Sequence, residues 1–346
     1  MRDKHSVALI QHYWGKFPNY FPLWLKSAGC NKNFDFIIFT DIDSSIYNLP
    51  ENVHFIYMTF DEFKARIAKY LDFEFICDTP YKGCDYILMY GLIFQDYLQD
   101  YEFWGHADPD VIWGDMSKFI TPEMLDKYDR FYRLGHLQFF RNTDKVRTFV
   151  LNKLPDCNLS YRDVYQTRDH VAFEETMLAT QLFSNFADGG GGQYYKLDFA
   201  DIQPFYKEFR QFKYYNEVIP AFRWQNGKLF GIGGNGEFSN NYEFLYVHFQ
   251  KREMKFTPGL ENEDSFLIIP NEFVKDHELT QDEIKAFITP DDEYASYINN
   301  KYLPRRTLLK RIKLFLSRST RDKFYRFKFR LNQLLGRELY IRMNDI

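Results

Sequence analysis

A chain of 346 residues, 45% hydrophobic and 27% charged, has the length for one large α/β domain or two ordinary ones and excludes a disordered or low-complexity protein. The net charge of −4 divides into +10 over residues 305–346 and −14 over the rest; an acidic body excludes nucleic acid as the main partner and leaves the basic tail to find its own. The four cysteines, Cys30, Cys77, Cys84 and Cys157, lack CxxC spacing, which excludes a disulfide scaffold and a zinc-finger site.

Residues 7–10 are too short an apolar stretch for a signal peptide, and no window reaches the roughly 18 apolar residues of a spanning helix. A cytoplasmic protein with reduced thiols is therefore expected. Aromatic residues make up 20% of the chain, more than a core needs, so some are expected to line a groove and stack on a ring-shaped ligand.

In chain order, "SVALIQHYW" predicts a strand and "YFPLWLKSAGC" a helix with Phe21, Leu25 and Ala28 on one face. "FDFIIFTD" is a near-continuous apolar run, the pattern of a parallel strand buried on both sides. "ENVHFIYMT" predicts a third strand, and Asp61 the cap or first turn of a helix after it. "CDYILMYGLIFQDYL" predicts a helix, and "YEFWGHADPDVIWGD" a further strand ending in acids. This alternation predicts a doubly wound, mostly parallel mixed sheet with flanking helices.

Beyond it, a short helix begins near Pro122, strands follow, and "DHVAFEETMLATQLF" reads as one helix. Residues 193–250 turn β-rich, with "WQNGKLF" predicting a type I′ hairpin. The expected organisation is a catalytic domain over 1–255, a helical or irregular extension over 256–304, and a basic amphipathic tail over 305–346. In the tail, Leu308, Ile312 and Phe315, then Phe324, Phe327 and Leu331, recur at helical spacing among Lys and Arg. That pattern suits either an anionic membrane surface or packing back on the body.

Asp108 and Asp110 stand at a strand end, where open α/β sheets bind ligands. At i and i+2 of an extended backbone they point the same way and can share one hard cation, Mn²⁺ or Mg²⁺, bridged to phosphate. Asp41 and Asp43 in "FTDID" form a rival pair, and Asp115, the third acid, is read as a cap of the next helix outside the metal set. Far downstream, "LYVHFQKREMKF" offers His248 as a nitrogen ligand, with Lys251 and Arg252 as cations beside a diphosphate.

The ordered blocks "YWGKFPNYFPLWLKS", "DFIIFTD", "PYKGCDYILMYGLIFQDYL", "YEFWGHADPDVIWGD", "RLGHLQFFRN" and "VHFQK", spread over about residues 5–255, resemble a bacterial glycosyltransferase-like family of the GT-A type, linked to surface polysaccharide synthesis. It is distantly similar to glycogenin and lipooligosaccharide galactosyltransferases. The resemblance implies a nucleotide-sugar donor, a UDP-sugar foremost, with Asp108, Asp110 and His248 on the metal. It implies nucleoside contacts from Tyr13, Trp14 and Gly15, Asp41 beside the base or ribose, and Lys82 and Asp85 at the phosphates and donor sugar. The other reading of Lys82 and Asp85 is a surface i, i+3 ion pair. The chain departs from the pattern in "HFQKRE", which lacks the glycine and Lys-Pro-Trp that commonly follow.

His136, Glu174 and Glu175 are the acceptor-side candidates, since an inverting transfer needs a carboxylate base, and the run Gly189 to Gly192 is a loop expected near the acceptor or a plain connector. The expected activity is transfer of a hexose to a glycan acceptor, lipid-linked if the tail holds the chain at the inner membrane face. A metal-dependent phosphohydrolase and a non-catalytic glycan-binding protein are the other classes these residues allow.

Overall fold

The structure is a computed structural model. It describes residues 3–302 except 156, 158, 196, 197, 212–217, 234–237 and 251, together with 323, 324, 327 and 331. Residues 305–346, but for those last four, and Lys251 therefore lie outside the described residues.

The apolar run of "FDFIIFT" forms β2 (Phe34–Thr40), flanked by β1 (Asp3–His12) and β3 (Val53–Tyr57), all parallel. Phe36 and Ile38 enter one core with Phe21 and Trp24, while Ile37 and Phe39 enter the other with Phe63 and Phe94. Burial on both faces is what an uninterrupted apolar strand requires. Against β1 lies β4 (Tyr101–Ala107), also parallel, and past it β6 (Arg130–Leu134), β7 (Leu137–Arg141) and β8 (Gln193–Tyr194) complete the order β3-β2-β1-β4-β7-β6-β8. Only β7 runs against the others. The result is the predicted mixed, mostly parallel sheet with helices on both faces.

Helix Phe21–Gly29 buries Phe21, Leu25 and Ala28 as its spacing predicts. Helix Phe60–Ala68 starts from a capping box of Thr59 and Glu62, with Asp61 in its first turn. Two predicted helices differ. "CDYILMYGLIFQDYL" opens as a 3₁₀ stretch, Cys84–Met89, in which Asp85 to Met89 are all buried. Asp85 there accepts backbone N–H groups from Val171 and Phe173, 86 and 88 residues away. "DHVAFEETMLATQLF" becomes a 3₁₀ turn, Phe173–Glu175, and a separate helix, Met177–Phe186, because Ala172 takes a left-handed φ of 47° and Thr176 caps the second helix through Ala179 N.

The "WQNGKLF" hairpin forms as read, with φ of 49° at Asn226 and 82° at Gly227, both in the left-handed region a type I′ turn needs. It belongs to a six-stranded, largely antiparallel sheet in which Ala221–Gln225 pairs with Ser265–Ile269. The boundary expected at 255 thus falls inside this sheet; of the helical or irregular extension, Ser265–Ile269 and Glu272–Lys275 are strands, while Gln281–Ile288 and Asp292–Tyr302 are helices. A third, small sheet joins β5 (Val111–Trp113) and β9 (Ala200–Asp201) on either side of strand Tyr246–His248. Among the described residues, no helix is long and apolar enough to cross a membrane.

Candidate active site

Asp108 and Asp110 follow the carboxyl end of β4, and the turn carrying them is tied down from three directions. Asp108 N donates to His136 O at 3.2 Å, Trp24 Nε1 donates to Asp108 O at 3.2 Å, and Phe249 N donates to Asp110 O at 3.0 Å. One oxygen of each carboxylate and one ring nitrogen of His248 all lie within 4.8 Å of one another. Two half-buried carboxylates and an imidazole fit a Mn²⁺ or Mg²⁺ ion that keeps positions open for phosphate oxygens. The rival pair does not converge, since Asp41 is exposed and Asp43 turns back to cap Ser44–Ile46 through Ser45 N. Asp115 occupies the N-cap position of Met116–Phe119, but Asn31 Oδ1 caps Met116 N in its place, at 2.8 Å.

His248 sits between two acids. Its Nδ1 donates to Asp201 Oδ1 at 2.8 Å, and its Nε2 lies 3.4 Å from Asp110 Oδ1. Burial works against the charged ring, yet Asp110 and Asp201 outweigh it and raise its pKa well above the usual value. Asp110 is itself raised by burial and by Asp108, while His106, donating from Nε2 to Asp108 Oδ1 at 2.9 Å, brings Asp108 below the usual carboxylate range against the effect of burial. His136 stacks on His248 with ring centroids 4.4 Å apart and pairs its Nδ1 with the Tyr246 hydroxyl at 2.6 Å. Burial and the His248 charge push its pKa down to about 3, so it is a neutral ring.

Glu174 and Glu175 come to the same place. A Cβ at Gly135 would sit 2.8 Å from Glu175 Oε1 and 2.9 Å from Glu174 Oε1. Glu175 is half-buried and accepts Gly135 N–H at 2.6 Å. Glu174 is 4% exposed, and its Oε2 has no partner among the described residues. Burial and then Glu175 hold the Glu174 carboxyl well above its usual pKa; burial also raises Glu175, but the Gly135 N–H opposes it. The two carboxyls therefore differ in their readiness to ionise.

Lys82 and Asp85 do form an i, i+3 ion pair, but inside the protein. They form a fully buried pair at 2.6 Å, not a surface one. Lys82 Nζ also donates to Val164 O and Asp169 O at 2.9 and 3.0 Å, so its three protons are spent inside the protein rather than on a phosphate. The pair holds the 164–173 segment that leads into Glu174.

A cleft of about 690 Å³ opens over Asp108 and Asp110, lined on one side by Tyr13, Lys16 and Tyr20 and on the other by Gln250, Arg252 and Met254. Tyr13 faces the acids, since Asp110 and Asp108 add to burial in raising its phenol. Trp14 does not line the cleft but packs against Phe60 and Phe63 and donates to Met58 O at 2.7 Å. Gly15 takes a φ of 136°, open to glycine, with nothing within 4 Å of an added Cβ. Arg252 lines the cleft, but its guanidinium donates to the oxygens of Lys207, Gln203, Tyr206 and Asn271, and burial lowers its pKa to about 10. Its role is to hold these chain segments, and among the described residues Lys16 is the exposed cation on the cleft wall.

The run Gly189 to Gly192 lies elsewhere. Gly189 N donates to Asp129 Oδ2, and Asp129 precedes β6, the end opposite Gly135. A five-residue strand separates the two by about 16 Å. The residues that sequence reasoning passed over are His106, Lys16, Tyr246, Gln250 and Asp201. The alternation of "HADPD" already puts His106 on the side of Asp108. Asp201, on a two-residue strand, has no comparable signal.

The site can be set beside known proteins. No curated protein matches the chain. Among solved structures it is similar to the galactosyltransferase LgtC in complex with donor and acceptor sugar analogues, at 10% identity and a TM-score of 0.27, over 57% of this chain and 76% of that one. It is also similar to the mannosyltransferase Ktr4p of S. cerevisiae, at 13% identity and a TM-score of 0.20, over 37% of this chain and 39% of that one. Both are glycosyltransferases, but likeness at this level assigns no activity here. Residues 9–277 match a family of unknown function, DUF6625, and the chain belongs to that family.

Proposed function

We propose that the protein is a metal-dependent glycosyltransferase that moves a sugar from a nucleotide-sugar donor to a glycan acceptor. The observation that carries this reading is the convergence of Asp108, Asp110 and His248 at the strand ends, beneath a cleft with an aromatic and cationic wall. Asp108, Asp110 and His248 would hold a Mn²⁺ or Mg²⁺ ion, which when bound supplies positive charge to a departing nucleoside diphosphate. Tyr13 offers a stacking face beside the acids, and Lys16 a charge for the phosphates. Of the two glutamates, Glu175 is the base toward the acceptor hydroxyl, because the Gly135 N–H favours its ionised form, while burial and Glu175 disfavour the ionised form of Glu174.

The experiment is a thermal-shift panel of nucleoside diphosphates and nucleotide sugars with and without Mn²⁺. Stabilisation is expected to require the metal and to vanish in Asp110→Asn; undiminished stabilisation of that variant removes the reading. Donor hydrolysis that no acceptor accelerates would instead favour a phosphohydrolase.

We also infer that the basic tail rests on an anionic membrane surface, near a lipid-linked acceptor. Phe324, Phe327 and Leu331, the apolar tail residues described, are helical, exposed and spaced three and four residues apart. Equal sedimentation with anionic liposomes after deletion of 305–346 would remove this part.

A further inference from the structure

His248 contributes to the metal set only if one ring nitrogen gives up its proton and turns its lone pair toward the ion that Asp108 and Asp110 would share. A free imidazole has two tautomers and a χ2 that admits a ring flip, so the nitrogen on offer has to be chosen by a partner. The three-stranded sheet supplies that partner. In its register His248 is opposite Val111 on one side and Asp201 on the other, which places Asp110 and Asp201 on opposite flanks of the same ring.

We propose that Asp201 is a positioning residue for the metal site: by accepting the Nδ1 proton of His248 it fixes the tautomer and the ring plane, leaving Nε2 to face Asp108 and Asp110. This rests on the reading of those three residues as the metal set. The 2.8 Å contact to Nδ1 sets the ring, and Ile202 N, donating to His248 O at 3.0 Å, ties the two backbones together.

Asp201 is in turn held. Gln250 Nε2 donates to the same Asp201 oxygen at 3.0 Å. Gln250 reaches it from a left-handed backbone conformation, φ 55°, which few non-glycine residues adopt without a reason in their surroundings. Gln250 also lines the cleft, so the chain of contacts from cleft wall to Asp201 to His248 to the metal set is continuous. The competing arrangement is an ion held by His136, Asp201 and His248, whose donor atoms also lie within 4.8 Å of one another. In that arrangement Asp201 is a ligand, and Asp110 is not.

Mn²⁺ affinity of the full chain, measured by electron paramagnetic resonance of the free ion, separates these cases without reference to turnover. Asp201→Leu is expected to weaken Mn²⁺ binding about 10–100-fold, as loss of a partner behind a metal-bound histidine does, and Asp201→Asn, whose amide oxygen still accepts the Nδ1 proton, about tenfold or less. Asp110→Asn is expected to be worse than either. An Asp201→Leu chain that is folded and binds within threefold of wild type overturns the positioning role. Should Asp201→Leu not fold, Asp201→Asn decides: a loss as large as that of Asp110→Asn overturns the role by making Asp201 a ligand. Retention of Mn²⁺ by Asp110→Asn, with loss in Asp201→Asn, likewise overturns it and favours the inner set. A wild-type chain that binds no Mn²⁺ overturns the metal reading and the positioning role together. Nucleoside-diphosphate stabilisation in Asp201→Leu that falls at limiting Mn²⁺ and returns at saturating Mn²⁺ supports the proposal, since only the metal's affinity has moved.

Discussion

Two sheets share the site and hold it in different ways. The seven-stranded sheet delivers His106, Asp108 and Asp110 from one contiguous stretch, at the end of a seven-residue strand paired on both sides. The three-stranded sheet delivers His248 and Asp201 on strands of three and two residues, from segments about 50 residues apart. A long strand holds its end through many ladder bonds. A two-residue strand has too few, so its side chains must hold one another, which is what Asp201, His248 and Gln250 do. The first half is a fixed edge and the second an assembled one.

Chemistry at the fixed edge should give the largest effect. Glu175 is anchored by Gly135, in the turn between β6 and β7, and Glu175→Gln is expected to lower kcat about 10²–10⁴-fold with nucleoside-diphosphate affinity unchanged. Steady-state rates with parallel thermal shifts test this, and a kcat within threefold of wild type removes Glu175 as the base.

Backbone crowding probes the contrast more directly. A Cβ at Gly105, inside β4, would lie 2.3 Å from Gln138 O; one at Gly114, just past β5, would lie 2.2 Å from Phe244 O. Gly105→Ala is expected to cost about 3 kcal/mol of global stability, because the paired strands cannot move apart. Gly114→Ala is expected to cost less, about 1–2 kcal/mol, but to weaken Mn²⁺ binding as β5 shifts against His248. Equal melting losses with equal metal affinities would erase the distinction between the two sheets.

The smallest effect is a slope. Glu174 has a folded-state pKa raised above its usual 4.5, so the folded chain holds a proton that the unfolded chain releases. Its contribution to stability is full below about pH 4.5 and is lost as pH rises toward the folded value, by at most about 1.4 kcal/mol per pH unit. Glu174→Gln should therefore gain melting temperature relative to wild type between pH 5 and 8, most at the alkaline end. A constant difference across that range would show that Glu174 does not titrate differently on folding.

Legibility follows the same division. β2 and helix Phe21–Gly29 are readable because burial on two faces, or on one, writes itself into the spacing of apolar residues. The Asn226–Gly227 turn is readable because few residues tolerate its dihedrals. The 3₁₀ stretch Cys84–Met89 is not, since its apolar residues fit an α-helix equally well, and the buried contacts of Lys82 and Asp85 with residues 164–173 leave no local pattern. For the same reason Lys82 reads as a phosphate contact and is instead a buried anchor. Lys251 and most of residues 305–346 lie outside the described residues.

By itself, the sequence determined the mixed parallel sheet, the strand-end position of Asp108 and Asp110 and the candidacy of His248, because each depends on periodicity or on local backbone preference. Tertiary structure alone decided that Asp43 is a helix cap rather than a ligand, that Glu174 and Glu175 meet Gly135, and that Asp201 stands behind His248. Those contacts join residues 40 to 47 positions apart, or turn on which of several acceptors a side chain meets. Pairings over such distances are selected by the packing of the whole chain and leave no local pattern to read.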